Sequence, residues 1–216
     1  MPESIKWDWS DPKRLRKLVT VEDHILWSYA MLSITRQIME GRRKGKPDRF
    51  HGGRTKWANI EMTQYQRQRR NISTLDRDDA LAQDGIKVCA HCGISGPKFQ
   101  WDHLIPQSRL VGEYVALNQV RSCPNCNMSR GNTDLMDWHR QRQTFPTLGV
   151  LRRYLKLCYF YARRGGRLGV PSDEAVQDGL PFDPRYLPRK FPGIEHLVWD
   201  YAHPNNMPDS ANYSHS

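Results

Sequence analysis

Two cysteine pairs constrain the fold of this chain more than any other feature. They read "CAHC", with Cys89 and Cys92, and "CPNC", with Cys123 and Cys126. Two thiolates that are two residues apart in a tight turn can bind one Zn²⁺ together, and two such pairs complete a tetrahedral site. Four sulfur ligands leave no open coordination position. The sequence therefore predicts a zinc ion that builds structure and does no chemistry.

The segment between the two pairs is too long for a plain zinc ribbon. It contains 30 residues, whereas a ribbon has roughly 15 to 20. It includes "WDHLIPQSR" and "ALNQVRSC", and the second pair leads directly into "NMSRGNTDLMDWHRQR", which is typical of a helix. We therefore expect zinc to hold a β-hairpin against a helix. The fifth cysteine, Cys158, lies on the apolar face of another predicted helix and is expected to be a core residue.

This order of motifs resembles a known family. A Cx2C pair, a strand that ends in "DHLIPQSR", an Asn-x-Val strand and a CxxCN sequence that opens a helix are similar to the HNH endonucleases, the ββα-metal or His-Me finger group. The resemblance covers residues 89–134. It implies an α+β fold, in which a small zinc-bound ββα-metal core is flanked by mainly helical extensions. We expect a basic N-terminal extension over residues 1–83, the nuclease module over 84–140, and a C-terminal helix with an extended wrapping segment over 141–216.

The resemblance also implies a role for each polar residue of the motif. His103 would be the general base that takes a proton from the attacking water, and a neutral imidazole with a pKa near 6.5 suits that role. Asp102 and Asn127 would bind a catalytic Mg²⁺, because hard oxygen ligands suit this ion. Asn118 would brace the loop that carries the base.

Two points of this assignment stay open at the level of sequence. Successive side chains of a regular strand point to opposite faces, so Asp102 and His103 can enter one site only if the strand ends or bulges there. The last metal ligand has several candidates besides Asn127, namely Asn125, Ser129 and Asn132.

The charge of the chain is concentrated in one stretch. The formal net charge is +10, and residues 42–70, here called the basic stretch, hold ten Lys or Arg against two acids. Phe50, Trp57 and Tyr65 are interleaved with these bases, a mixture that suits phosphate contacts and base stacking. The predicted nucleic-acid contacts are Arg42, Arg43, Lys44, Arg54, Lys56, Arg67, Arg69 and Arg70. A solvated surface or a site for a partner protein is the alternative. Within the module, Arg109, Arg121 and Arg130 are expected to contact phosphates near the cleaved bond.

Helical periodicity appears on both sides of the module. Thr20 is a predicted N-cap for a helix of about five turns that ends at Gly41. Residues 42–56 are predicted as a loop, and further helices are predicted within 57–70 and 75–83. After the module, "TLGVLRRYLKLCYFYARRGG" predicts a helix with one apolar face and one basic face, which carries a second basic cluster between Arg152 and Arg167.

These patterns together predict a Mg²⁺-dependent HNH endonuclease that hydrolyses double-stranded DNA, of phage, restriction or defence type. A homodimer is expected only if the target is palindromic. A non-catalytic zinc-binding DNA module, an RNase, and an HNH subunit of a larger complex stay open as alternatives. No apolar run reaches the roughly 18 residues of a membrane span, and the first residues lack an apolar signal segment. We therefore expect a cytoplasmic protein with no membrane partner.

Overall fold

The computed structural model describes residues 6–10, 16–47, 50, 53–73, 75, 87–110 and 116–202. Its helices and strands are, in chain order, α1 (Val21–Arg43), α2 (Arg54–Gln66), β1 (Gln100–His103), β2 (Gln119–Ser122), α3 (Pro124–Arg130), α4 (Leu135–Gln141), α5 (Leu148–Arg164) and α6 (Ser172–Ala175). A small two-stranded antiparallel sheet thus sits between mainly helical flanks, which confirms the expected α+β class. Among the helices described, none has both the length and the apolar character needed to cross a membrane.

Helix α1 begins where the sequence predicts. Thr20 Oγ1 accepts a hydrogen bond from Asp23 N (3.2 Å), and the Asp23 carboxylate accepts one from Thr20 N (3.2 Å), which together form a capping box. The expected end at Gly41 is wrong, because the helix continues to Arg43 and the glycine with a positive φ is Gly45 (62°). A glycine inside a helix lowers the stability by only about 1 kcal/mol relative to alanine, and the contacts of the surrounding turn can offset that loss.

Helix α2 begins earlier than expected. The predicted loop over residues 42–56 is wrong at both ends, because residues 42 and 43 belong to α1 and residues 54–56 belong to α2. Arg54 anchors this start by donating to the backbone oxygens of Phe191 (3.0 Å) and Pro192 (2.6 Å). The helix predicted over residues 75–83 lies outside the described residues, apart from Leu75.

One hydrophobic core joins the flanks to the hairpin. It combines side chains of α1, α5, the hairpin region and the C-terminal segment, among them Ile25, Trp27, Leu104, Val120, Tyr154, Leu155 and Trp199. The chain after α6 lies across α1, where Ser28 Oγ donates to Pro188 O (2.8 Å) and Trp27 Nε1 donates to Arg189 O (2.8 Å). The hairpin is therefore supported by helices that lie far from it in sequence.

The basic face of α5 is not where the sequence placed it. The expected apolar face is buried, but Arg152, Arg153 and Lys156 on the supposed solvent face are only 4%, 0% and 2% exposed. Arg152 donates to Ser73 Oγ (3.1 Å), and Arg153 Nε donates to Leu117 O. Because α5 is a central helix, most of its circumference is covered, and the first half of the second basic cluster is internal. The exposed bases of this helix are at its end, Arg163 and Arg164.

Candidate active site and zinc centre

The four predicted zinc ligands come together in the structure. The sulfur atoms of Cys89, Cys92, Cys123 and Cys126 all lie within 4.8 Å of one another, and those of Cys92 and Cys123 are 3.8 Å apart. Zn–S bonds of about 2.3 Å in a tetrahedron place sulfur atoms about 3.8 Å apart. The cluster therefore fits Zn²⁺.

Local backbone chemistry forms both halves of this cluster. In the first turn Gly93 N donates to Cys89 O (2.9 Å) with φ of 72° at the glycine, a conformation that favours glycine. A Cβ at Gly93 would also lie 2.8 Å from the ring of Tyr201. In the second turn Cys123 is the N-cap of α3, its sulfur accepts from Cys126 N (3.5 Å), and Pro124 occupies the first helical turn.

The thiols of the cluster cannot all ionise without a cation. The hydrogen bond from Cys126 lowers the pKa of the Cys89 thiol to about 4, and the same contact raises the pKa of Cys126 far above its usual range. Burial raises the pKa of Cys92 to about 11. Four neighbouring thiolates repel one another unless a positive ion lies between them. Zn²⁺ is the ion that this donor set would hold.

The pairing of the hairpin decides which way the Asp-His doublet points. Trp101 pairs with Arg121, Asp102 with Val120, and His103 with Gln119, without a bulge up to the end of β1. Successive residues therefore point to opposite faces. Asp102 lies on the inner face, against α3, and His103 lies on the opposite, outer face with Trp101.

Asp102 is a member of a buried ion network. Its side chain is 2% exposed; Arg130 Nε lies 3.0 Å and 2.8 Å from its two oxygens, and His91 Nε2 lies 2.8 Å from Oδ2. Burial opposes the ionisation of this carboxyl, but the hydrogen bonds from His91 and Arg130 outweigh it and lower its pKa. Asp102 is therefore a carboxylate neutralised within the protein.

Sequence reasoning missed the roles of His91 and Arg130. Arg130 is 2% exposed and also donates to the backbone oxygens of His103 and Thr133, so the expectation that it contacts phosphate is wrong. His91 packs edge-on against Trp138 with ring centroids 5.3 Å apart. Its one signal in the sequence is its position inside the first cysteine pair, where a zinc ion would hold it in place.

His103 is half-buried at the end of β1. Burial lowers the pKa of its imidazole. The charge of Asp102 raises that pKa, and the charge of Arg130 lowers it. Gln119 Nε2 lies 3.0 Å from His103 Nε2. Since an amide nitrogen can only donate, this contact leaves Nε2 of the neutral ring as the acceptor, the nitrogen that can take a proton.

Asn118 braces the loop that follows His103. It is 1% exposed, its Oδ1 accepts from Ile105 N (2.8 Å), and its Nδ2 donates to Ile105 O (2.8 Å). Both halves of the amide thus hold one residue of the loop. Asn118 thus makes contacts of the kind that the family resemblance implies, and its part in a reaction stays a prediction.

The expected Mg²⁺ ligands do not converge in this structure. Asn127 donates to Gln100 Oε1 (2.7 Å), whereas both oxygens of Asp102 are bound by Arg130 and His91. Ser129 donates to Cys126 O (3.1 Å), and Asn125 and Asn132 are exposed. The residues as arranged do not fit a divalent ion, which at Asp102 would have to displace the guanidinium of Arg130.

The basic residues predicted to contact nucleic acid fall into two groups, those with exposed side chains and those whose side chains are bonded to other residues. The exposed ones are Arg42, Arg43, Lys44, Lys56, Arg67, Arg69, Arg70 and Arg109. Among them, Arg70 forms an ion pair with Glu61 (2.6 Å) and Lys44 one with Glu40 (2.7 Å). Arg54 is partly engaged, because its guanidinium donates to the C-terminal segment at the start of α2, and its contact with nucleic acid stays a prediction.

Comparison with known proteins places the same region in a family. Residues 89–133 match the family model described as HNH endonuclease, which confirms the resemblance drawn from the cysteine pairs and the "DHLIPQSR" segment. No curated protein and no solved structure matches the chain. The matched residues contain the whole hairpin, both cysteine pairs and α3.

We expect the purified protein to hold one Zn²⁺ per chain and the Cys126→Ser variant to lose it. A structural zinc site contributes folding free energy, about 10 kcal/mol or more in isolated zinc fingers, so the hairpin and α3 should separate without it. Elemental analysis and near-ultraviolet circular dichroism measure both effects. Cys158→Ala is the matched control, since Cys158 is buried in α5 away from the cluster, and should keep its zinc. Full zinc content in Cys126→Ser would contradict the assignment.

We expect Arg130→Met to lower the free energy of unfolding by about 3–5 kcal/mol, because it leaves a buried carboxylate without its partner. Adding Asp102→Asn should restore part of the loss. Folding lowers the pKa of Asp102, so this stabilisation is present above about pH 4 and is lost as the pH falls through the folded-state value. Urea unfolding at several pH values tests this.

The control for this measurement is Arg109→Met, which removes an exposed arginine of the same module and should change stability by about 0.5 kcal/mol or less. Equal losses in Arg130→Met and Arg109→Met would show that the buried ion network does not hold the hairpin on α3.

Proposed function

We propose that this protein is an endonuclease that hydrolyses phosphodiester bonds in DNA, with His103 as the general base. The observation that carries the proposal is the position of His103. His103 is the last residue of β1, within the segment that matches the HNH family, and Asn118 braces the loop that follows it. The match supports a nuclease-type function. That the substrate is DNA and that the reaction is phosphodiester hydrolysis are our proposals.

The chemistry assigned to His103 follows from its surroundings. A lowered pKa keeps the imidazole neutral near pH 7, so it can accept a proton from a water molecule that attacks phosphorus. The amide of Gln119 donates to the accepting nitrogen, and an attacking water would take the place of that amide. Asn118 holds the following backbone and so limits the movement of the base.

Dependence on Mg²⁺ is proposed from the family alone. Such an ion would supply positive charge to the phosphate and the leaving oxygen, and Asp102 and Asn127 would hold it only if Arg130 left the carboxylate. The buried pairing of Asp102 with Arg130 instead favours the second candidate, a zinc-binding DNA module without catalysis. The two candidates differ in whether His103 is needed for any activity.

The basic stretch is proposed as the surface that holds the duplex. Residues 84–140 contain six bases and five acids, too small an excess to bind a polyanion strongly. The exposed bases at the end of α1, in the first turn of α2 and directly after α2 supply the charge. Action in phage biology, restriction or defence, and a homodimer on a palindromic target, belong to the same proposal and are suggested by the family resemblance.

We expect the wild-type protein to cut supercoiled plasmid when Mg²⁺ is added and His103→Ala to cut at least about 10²-fold more slowly, since general base catalysis contributes about 10²–10⁴-fold. Zinc content and DNA binding should not change. Because burial lowers the pKa of His103, the rate should fall only as the pH drops below about 6.5. Gel assays over a Mg²⁺ and pH series measure this.

His196→Ala is the matched control, because His196 is an exposed histidine outside the module (side chain 42% exposed), and it should cut at the wild-type rate. Undiminished cleavage by His103→Ala would remove the proposed mechanism. Intact binding with no cleavage by wild type at any Mg²⁺ concentration would favour the non-catalytic DNA module.

We expect duplex affinity to fall steeply with salt, and the triple replacement of Arg43, Lys56 and Arg67 by Gln to flatten the log-log slope by about two to three units, at about 0.9 per phosphate contact. Titrating a labelled duplex at several salt concentrations measures the slope. The control replaces three exposed bases outside the basic stretch, Lys6, Arg163 and Arg164, and should keep the wild-type slope. Equal slopes in all three proteins would place the DNA elsewhere.

A further inference from the structure

The outer face of the hairpin carries an exposed aromatic side chain next to the proposed base. Trp101 is 41% exposed, and its strand pairing places it on the same face as His103. The guanidinium of Arg121 lies over its ring, 4.7 Å from the centroid. A cation over one part of an indole orients the ring and leaves the rest of its surface for another planar group. Single exposed aromatics are common, so its neighbours decide the interpretation.

An open, basic cavity lies at the start of the hairpin and shares Arg121 with this ring. It has a volume of about 600 Å³ and is lined by Lys87, Pro97, Lys98, Phe99, Gln100, Arg121 and Pro124. Three of these seven residues are basic and none is acidic. Half of the six bases of residues 84–140 are thus gathered at one place, although the net charge of that segment is small. A cavity of this size and charge suits an anionic ligand of nucleotide size.

The spacing along β1 relates the ring to the chemistry. Trp101 and His103 are two residues apart, about 7 Å along a strand. A base stacked on Trp101 would therefore place a phosphate of its own nucleotide within reach of His103. Bases in an intact duplex are stacked on one another, so only an unpaired or extruded base can use the ring.

We propose that the outer face of the hairpin and the adjoining cavity form a nucleotide subsite that takes an unpaired DNA base on Trp101 and phosphates on Lys87 and Lys98. The position of the subsite beside the cleaved bond rests on the proposed function. The stacking itself does not depend on catalysis. The preferred substrate is then DNA with a single-stranded or extruded nucleotide at the cut, held in addition by the basic stretch.

The test measures binding in full-length, zinc-loaded protein that carries His103→Ala, so that no substrate is cut. Three labelled DNAs are compared: a single strand, a duplex with one unpaired base, and a perfect duplex. Trp101→Ala should weaken binding to the first two by about 5- to 100-fold, the range for one base stacked on an aromatic ring. Binding to the perfect duplex should change by less than about twofold, and Trp101→Phe should keep most of the affinity.

Two controls separate the subsite from general damage. Phe160→Ala removes an aromatic side chain of similar exposure (38%) on α5 and should leave all three affinities unchanged. Joint replacement of Lys87 and Lys98 by Gln should flatten the salt dependence of single-strand binding by about 0.7 per contact, whereas replacement of Arg163 and Arg164 should not. Zinc content and circular dichroism confirm that each variant is folded.

The inference is overturned if Trp101→Ala weakens all three DNAs equally or none of them. Tighter binding of single-stranded RNA than of DNA of the same sequence would overturn the assignment to DNA. The result also separates this inference from the proposed function. If the wild type cuts no DNA but Trp101→Ala selectively weakens binding to unpaired bases, the subsite is supported and the proposed nuclease function is not. If the wild type cuts efficiently but Trp101→Ala has no effect on binding, the nuclease function is supported and the subsite is not.

Discussion

Four sulfur atoms on two turns, separated by 30 residues of chain, connect the start of the hairpin to the start of α3. The apolar cluster at this end contains only the three cysteines Cys89, Cys123 and Cys126 with Trp138, and Phe99 packs against it. So small a cluster cannot hold a hairpin against a helix without a further link. At the other end Leu104 and Val120 enter the main core. The hairpin is thus fixed by burial on this side, and Zn²⁺ in the four-cysteine cluster would fix it on the other.

This double attachment determines what each face of the hairpin does. The inner face places Asp102 against Arg130 and Gln100 against Asn127, while the outer face presents Trp101 and His103. A shift of the pairing by one residue would exchange the two faces. The cysteine turns before β1 and after β2, together with the hydrogen bonds from Asn118 to Ile105, oppose such a shift.

Local chemistry in the sequence predicted those features that depend on near neighbours. The N-cap at Thr20 and the two cysteine turns follow from short spacings, and the role of Asn118 is implied by the family resemblance. The buried bases of α5 could not be predicted in the same way, because periodicity shows which face is apolar and does not show that the opposite face is also covered. Arg153 and Lys156 have long aliphatic stems that can line a core while their charged ends find polar partners. The pairing of Arg130 with Asp102 joins residues that are 28 positions apart in the sequence. Neither residue type indicates which residue it will pair with.

That pairing also limits how a metal-dependent mechanism could operate. Arg130 is held by Asp102 and by the backbone oxygens of His103 and Thr133, and a carboxylate buried to this degree needs a cationic partner while it is ionised. A divalent ion would need the same carboxylate oxygens that the guanidinium of Arg130 occupies, so each would exclude the other. Binding of an ion at Asp102 would therefore release the guanidinium of Arg130 from the carboxylate, directly beneath the backbone of the proposed base. Metal binding at Asp102, if it occurred, would for this reason be physically coupled to the position of His103.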